Sequence, residues 1–128
     1  MKEPKWVLSE TVQLLHEQLL ADYGGSAGIR DAGLLDSALS RPQKLFFYGS
    51  PTMFELATGY AFGIVKNHPF IDGNKRTGFT VAVLFLELNG CRFQASEADA
   101  AVQTLALAAG AIGEDEFVVW LDTNSWKL

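Results

Sequence analysis

The fold of this chain is decided by residues 67–90, which read NHPFIDGNKRTGFTVAVLFLELNG. A cluster of polar and charged side chains is followed by a run, residues 77–88, that is apolar nearly all round. Asn89-Gly90 is a C-terminal stop signal, so we expect a helix from about Asn74 to Asn89. A helix with so little polar surface belongs in the middle of a small bundle, where it would hold the preceding polar residues at a fixed, half-buried helix start.

Cap signals predict five more helices around this one. The expected starts are Ser9, Asp31, Ser50-Pro51, Ser96 in a capping box with Asp99, and Glu114. We expect Arg41-Pro42 to end the second helix. Residues 44–48 and 91–95 are predicted to be extended or irregular, and neither segment is long enough to found a sheet. The prediction is an all-α, compact single-domain bundle of about six helices around a buried central helix, covering residues 1–128.

Helical spacing of apolar residues predicts which faces are buried. The expected faces are Val12, Leu15 and Leu19 in the first helix, Phe54, Ala57, Ala61 and Ile64 in the third, Val102, Leu105 and Ala109 in the fifth, and Phe117, Trp120 and Leu121 in the sixth. Gly59 and Gly63 are expected at close helix packing. For His16 we expect a flanking or core role, and Cys91 should be a small apolar filler.

Composition and charge narrow the classes of function. The chain has 128 residues, of which 48% are hydrophobic and 20% charged, and this is a globular composition. Its net charge of -5 argues against direct, non-specific binding of nucleic acid. A single cysteine excludes an internal disulfide and a thiolate-rich metal site. No signal segment is expected at the start, and the longest apolar run is too short to cross a bilayer, so we expect a cytoplasmic protein with no membrane partner.

The nine positions from His68 to Arg76 combine groups that suit an anion site. Free N–H groups and the dipole at a helix start favour an anion. Gly73 lets the backbone approach a ligand closely. Lys75 and Arg76 add two positive charges at the same point, and Arg offers a planar fork for phosphate oxygens.

Two further side chains of this segment supply chemistry. Asp72 offers a hard oxygen ligand, which suits magnesium shared with a phosphate chain. His68 has an unperturbed pKa near neutrality, so it can accept a proton from a hydroxyl. Together these groups are the components of phosphoryl or nucleotidyl transfer.

The same residues also allow a purely structural interpretation. His68 could be structural, residues 72–74 could form a turn with an N-cap, and Lys75-Arg76 could be a solvated first turn. Cations at a helix start oppose the dipole, however, so fold stability does not explain their placement, whereas a bound anion does.

The stretch HPFIDGNKR, residues 68–76, resembles the signature of the Fic/Doc family, specifically its death-on-curing (Doc) branch. The stretch GIRDAGLLDSALSRPQ, residues 28–43, resembles the same branch. The resemblance implies that His68 is the catalytic base, Phe70 the loop anchor in the core, Asp72 the magnesium ligand, and Gly73, Asn74, Lys75 and Arg76 the nucleotide-phosphate site. The implied cofactors are ATP and Mg²⁺.

Two positions separate the chain from the AMP-transferring members of the family. Those members have Gly where Lys75 stands and a second Arg where Phe79 stands. The departure matches the Doc branch, which resembles a protein kinase that moves the terminal phosphate of ATP to a Ser or Thr hydroxyl. The implied protein is the toxin of a type II toxin–antitoxin system that acts on a translation elongation factor and arrests growth. AMP transfer to a protein hydroxyl and a catalytically silent binding module remain the alternatives.

Regulation and substrate docking are implied by the same resemblance. The chain lacks the inhibitory-helix string of many Fic proteins, so inhibition would come from a small antitoxin whose disordered tail folds into a groove on this domain. For Phe46 to Tyr48 we expect buried packing, with a flap over the site that docks the target as the functional alternative.

Overall fold

The computed structural model describes residues 2–128 as six helices and one two-stranded sheet, which confirms the predicted all-α class. The helices are α1 (Ser9–Tyr23), α2 (Ala32–Tyr48), α3 (Met53–Asn67), α4 (Asn74–Leu88), α5 (Glu97–Ala109) and α6 (Glu114–Thr123), and the strands are β1 (Cys91–Phe93) and β2 (Ser125–Lys127). The strands are antiparallel, with Cys91 opposite Lys127. Within residues 2–128, no helix combines the length and the apolar character needed to cross a membrane.

Helix α3 lies at the centre of the bundle and contacts α2, α4, α5 and α6. Small residues permit its close packing, as predicted for Gly59 and Gly63. A Cβ at Gly59 would lie 3.4 Å from Pro42 Cγ, and a Cβ at Gly63 would lie 3.1 Å from Ala38 Cα. Helix α4 was expected in this central position, but one of its sides is partly open and Leu88 is exposed.

Helix α2 is longer than predicted, because it continues through Pro42 to Tyr48. The expected stop at Arg41-Pro42 and the irregular segment 44–48 are therefore wrong. Proline removes one helical N–H and disfavours the preceding residue in the α region. Here Pro42 is buried, and the Ala38 carbonyl that it leaves without a helical donor faces Gly63 on α3. Close packing of α2 on α3 outweighs the local preference to end the helix.

Two helix starts also differ from the prediction. Ser9 is the first residue of α1 rather than its N-cap, and its hydroxyl accepts a hydrogen bond from Gln13. Helix α3 begins after Ser50-Pro51, because Thr52 and Glu55 form a capping box with bonds of 3.1 and 3.0 Å. The expected cap at Ser96 is confirmed.

The buried face of α5 was predicted wrongly, whereas that of α6 was predicted correctly. Val102 and Leu105 are 62% and 57% exposed. The residues of α5 that are buried are Ala100, Thr104 and Leu107. Helix α5 has apolar residues on more than one face, so spacing alone did not select the inner one. In α6, Phe117 and Leu121 are fully buried and Trp120 is partly buried.

The segment from Phe46 to Tyr48 forms the last turn of α2. Phe46 is partly buried and meets Trp6 edge to face, with ring centroids 5.8 Å apart. Tyr48 is 90% exposed. Of the three residues from Phe46 to Tyr48 that were expected to pack in the interior, only Phe46 does so.

We expect Tyr60→Phe to destabilise the fold by about 1–3 kcal/mol, because it would leave a buried N–H without an acceptor. Tyr60 is fully buried, and its hydroxyl accepts a hydrogen bond from the Val7 N–H at 3.0 Å. Burial raises the pKa of Tyr60 to about 12, although the Val7 bond acts in the opposite direction. Urea unfolding followed by circular dichroism measures the loss, with Tyr48→Phe as the exposed control. Equal unfolding free energies for the two variants would contradict this assignment.

Candidate active site

A cleft of about 630 Å³ opens between the end of α1, the start of α4 and the face of α5. Six of the seven predicted site residues line it: His68, Asp72, Gly73, Asn74, Lys75 and Arg76. The seventh, Phe70, is buried beneath the loop. The structure therefore brings the predicted polar residues together at one opening.

The start of α4 presents backbone N–H groups to this cleft. Gly73 is the N-cap with φ 78° and ψ 16°, a left-handed conformation that favours glycine. The first helical hydrogen bond is donated by the Thr77 N–H to the Gly73 carbonyl, at 3.0 Å. The N–H groups of Asn74, Lys75 and Arg76 precede that bond and have no helical acceptor, so they can bind an anion.

The exposed carboxylate of Asp72 is held by two backbone N–H groups. Ser26 N–H donates to Oδ2 at 3.2 Å, and Gly73 N–H donates to Oδ1 at 2.8 Å. These bonds, Ser26 first and Gly73 second, lower the pKa of Asp72. Burial acts in the opposite direction, and the charges of Arg76 and His16 add the smallest lowering effects. The carboxylate is therefore ionised at neutral pH. One carboxylate completed by phosphate oxygens and water is a normal ligand set for Mg²⁺, so Asp72 fits that ion.

His68 ends α3 in the left-handed region, with φ 53° and ψ 53°. Within residues 2–128, it is the one non-glycine residue with positive φ. Arg30 holds this turn, because its guanidinium donates to the His68 carbonyl at 2.7 Å and to the Asn67 carbonyl at 2.8 Å. A left-handed residue costs about 1–2 kcal/mol, and these bonds offset that cost while the imidazole stays exposed at the cleft.

The side chain of Asn74 closes the loop, and its implied part in phosphate binding stays a prediction. Its side chain is buried, with its Oδ1 accepting from the Phe70 N–H at 3.0 Å and its Nδ2 donating to the Phe70 carbonyl at 2.9 Å. Both ends of the amide therefore bond the backbone of Phe70, and these two bonds use one of the two N–H groups on Nδ2. The backbone N–H of Asn74 is available to an anion.

Lys75 and Arg76 are exposed in the first turn of α4, and neither forms a salt bridge within residues 2–128. The Arg76 guanidinium lies 4.3 Å from the centroid of the Tyr23 ring. Phe79, one turn further on, packs against Phe93 and Trp120, with ring centroids 5.7 and 6.0 Å away. The two cations thus remain next to the free N–H groups, while position 79 belongs to an aromatic cluster.

Sequence reasoning missed the supports that reach the loop from elsewhere. His16 in α1 is buried, as expected, but its Nε2 also bonds the Asp72 carbonyl at 2.8 Å. The segment before α2 lies along the loop, where Ile29 and Phe70 form an antiparallel bridge. Arg30 and Ser26 belong to the same segment. Residues 28–43, which include Ile29 and Arg30, carry the family resemblance, but no local pattern assigns these contacts because the residues are far from the motif in the sequence.

The fold and the cleft define a small helical domain with a polar cleft at the start of α4. The family model described as Fic/DOC family matches residues 6–86, more than half of the chain. The chain therefore belongs to the Fic/DOC family.

Two curated relatives confirm the Doc branch. One, named Toxin Doc, from Mycolicibacterium smegmatis, is 40% identical over 76 residues, which cover 57% of this chain and 58% of the relative. Another, named Protein kinase doc, from Escherichia phage P1, is 35% identical over 82 residues, which cover 63% of this chain and 65% of the relative. The matched part thus spans less than two thirds of either relative.

Proposed function

We propose that this chain is a Doc-type toxin that transfers the terminal phosphate of ATP to a Ser or Thr hydroxyl of a protein. One observation carries the proposal: a single cleft at a helix start is lined by His68, Asp72, Lys75 and Arg76. The relative named Protein kinase doc supports this choice of reaction.

In the proposed reaction, His68 accepts the proton of the substrate hydroxyl as its oxygen attacks the γ-phosphorus. A new oxygen–phosphorus bond forms, the bond to the β-phosphate oxygen breaks, and ADP leaves. The N–H groups at the start of α4, with Lys75 and Arg76, stabilise the charge on the phosphates. Asp72 would hold Mg²⁺, which supplies charge neutralisation to the phosphate chain when bound.

Position 79 favours phosphate transfer over AMP transfer. The AMP-transferring pattern places a second Arg there, whereas this chain packs Phe79 against Phe93 and Trp120. The cleft accordingly lacks the second guanidinium fork, while Lys75 adds a charge that the other pattern lacks.

The proposal includes the biological setting implied by the branch. The target would be the translation elongation factor that delivers aminoacyl-tRNA, in the cytoplasm, and its modification would stop translation and growth. Inhibition would come from a small antitoxin whose disordered tail folds on binding. The exposed Leu105 beside the cleft is consistent with such a partner. Residues 1–128 would act as a single domain.

We expect the purified chain to label the elongation factor from ATP that carries the label on the γ-phosphate, and not on the α-phosphate. Transfer of the α label would identify an AMP transferase. No transfer of either label, together with no growth arrest when the chain is expressed alone, would favour a silent binding module.

Lys75→Gly should lower γ-label transfer by about 10–100-fold, which corresponds to the loss of one charged hydrogen bond. Lys44→Gly is the matched control, because Lys44 is also exposed in a helix and does not line the cleft. The glycine penalty is about 1 kcal/mol in a helix interior, so Lys44→Gly should lose at least as much stability as the change at Lys75 in the first turn of α4. Equal transfer rates for the two variants would remove Lys75 from the site.

A further inference from the structure

The buried imidazole of His16 contacts the active-site loop from below. We infer that His16 is a positioning residue that fixes the Asp72 carboxylate for the metal–nucleotide complex. This inference rests on the proposed function, because it assigns a task at the same site. His16 does not line the cleft, so it acts through Asp72 and not on the substrate.

The hydrogen bond from His16 has a defined direction. Its Nε2 lies 2.8 Å from the Asp72 carbonyl oxygen, and a carbonyl can only accept. Nε2 therefore carries the proton and donates it. The bond holds the backbone of Asp72, while Ser26 and Gly73 hold its carboxylate. Together these bonds hold Asp72 at both its backbone and its carboxylate.

The ring of His16 also packs against Phe70 and lies close to Gly73, the residues that flank the bonded loop position. It stacks on Phe70 with ring centroids 3.8 Å apart and an angle of 11° between the planes. A Cβ at Gly73 would lie 3.6 Å from His16 Nε2. The imidazole thus packs beneath the turn from Phe70 to Gly73. Through this ring, helix α1 contacts the loop and restricts its movement.

An apolar ring could supply the stacking but not the hydrogen bond. His16→Phe keeps a flat ring on Phe70 and removes the donor. His16→Gln removes the ring but can place an amide N–H near the position of Nε2. The two variants separate the donor from the packing.

The test is the ratio of the ATP dissociation constants without and with saturating Mg²⁺, measured by isothermal titration calorimetry. Wild type should bind ATP more tightly with Mg²⁺, and Asp72→Asn should abolish that gain. We expect His16→Phe to reduce the ratio by about tenfold or more, the effect of losing a residue that orients a metal ligand. His16→Gln should recover most of it.

Outcomes that contradict the inference are distinct from those that contradict the proposed function. A purely structural role would weaken ATP binding equally with and without Mg²⁺, so the ratio for His16→Phe would equal that of wild type. That result overturns the inference alone. If wild-type affinity for ATP does not depend on Mg²⁺, the proposed metal site is wrong, and the inference fails with it.

Discussion

Replacing His68 with alanine should lower the rate of phosphate transfer by about 10²–10⁴, the contribution of a positioned proton acceptor. The side chain is exposed at the cleft and makes no contact on which the core depends, so the unfolding free energy should fall only by the backbone cost of alanine at this left-handed position. Transfer to the elongation factor from γ-labelled ATP measures the rate, and thermal unfolding followed by circular dichroism checks the fold.

The backbone of His68 requires a second variant. Because position 68 is left-handed, alanine meets a steric cost there that asparagine tolerates better. His68→Asn should therefore be as stable as wild type and as inactive as His68→Ala. Gln43→Ala, an exposed change on α2 away from the cleft, should leave both properties unchanged. Wild-type transfer by a folded His68→Asn protein would show that another group accepts the proton.

The candidate site could be predicted from the sequence because its polar groups lie within nine consecutive residues. A helix start next to Lys75 and Arg76 indicates an anion site through local rules alone. The supports could not be predicted in this way. His16 and Ser26 reach Asp72 only after α1 and the following loop fold back onto α4, and Arg30 reaches the His68 carbonyl by the same route.

The errors in the fold prediction have a related cause. The cap at Ser96 follows from a local signal that nothing opposes, and the helix from Asn74 follows from the apolar run after its charged first turn. At Pro42 the local signal favours a helix end, but burial against α3 decides the outcome. At Val102 and Leu105 the spacing fits a buried face, yet the neighbouring helices cover another side of α5. In both places tertiary packing overrides a correct local preference.

Asn74→Ala should be among the most destabilising changes in the loop. If the Asn74 side chain instead bound phosphate directly, the change would lower ATP affinity while the unfolding free energy stayed nearly constant. The change removes the partners of two backbone groups of Phe70, and each group costs about 1–3 kcal/mol when left unpaired in a buried place. Small domains have about 5–15 kcal/mol in total, so the variant should unfold at much lower urea concentration.

The neighbouring Lys75→Ala is the matched control for this prediction. Lys75 is exposed in the same helical turn, so its loss should change stability by about 0.5 kcal/mol or less while weakening ATP binding. Asn74→Asp should resemble Asn74→Ala, because a carboxylate can accept from the Phe70 N–H but cannot donate to the Phe70 carbonyl. Urea unfolding and ATP titration of the three variants measure both quantities. The contrary outcome is that Asn74→Ala matches Lys75→Ala in both unfolding free energy and ATP affinity. That result would show that Asn74 binds the nucleotide directly and that other contacts close the loop.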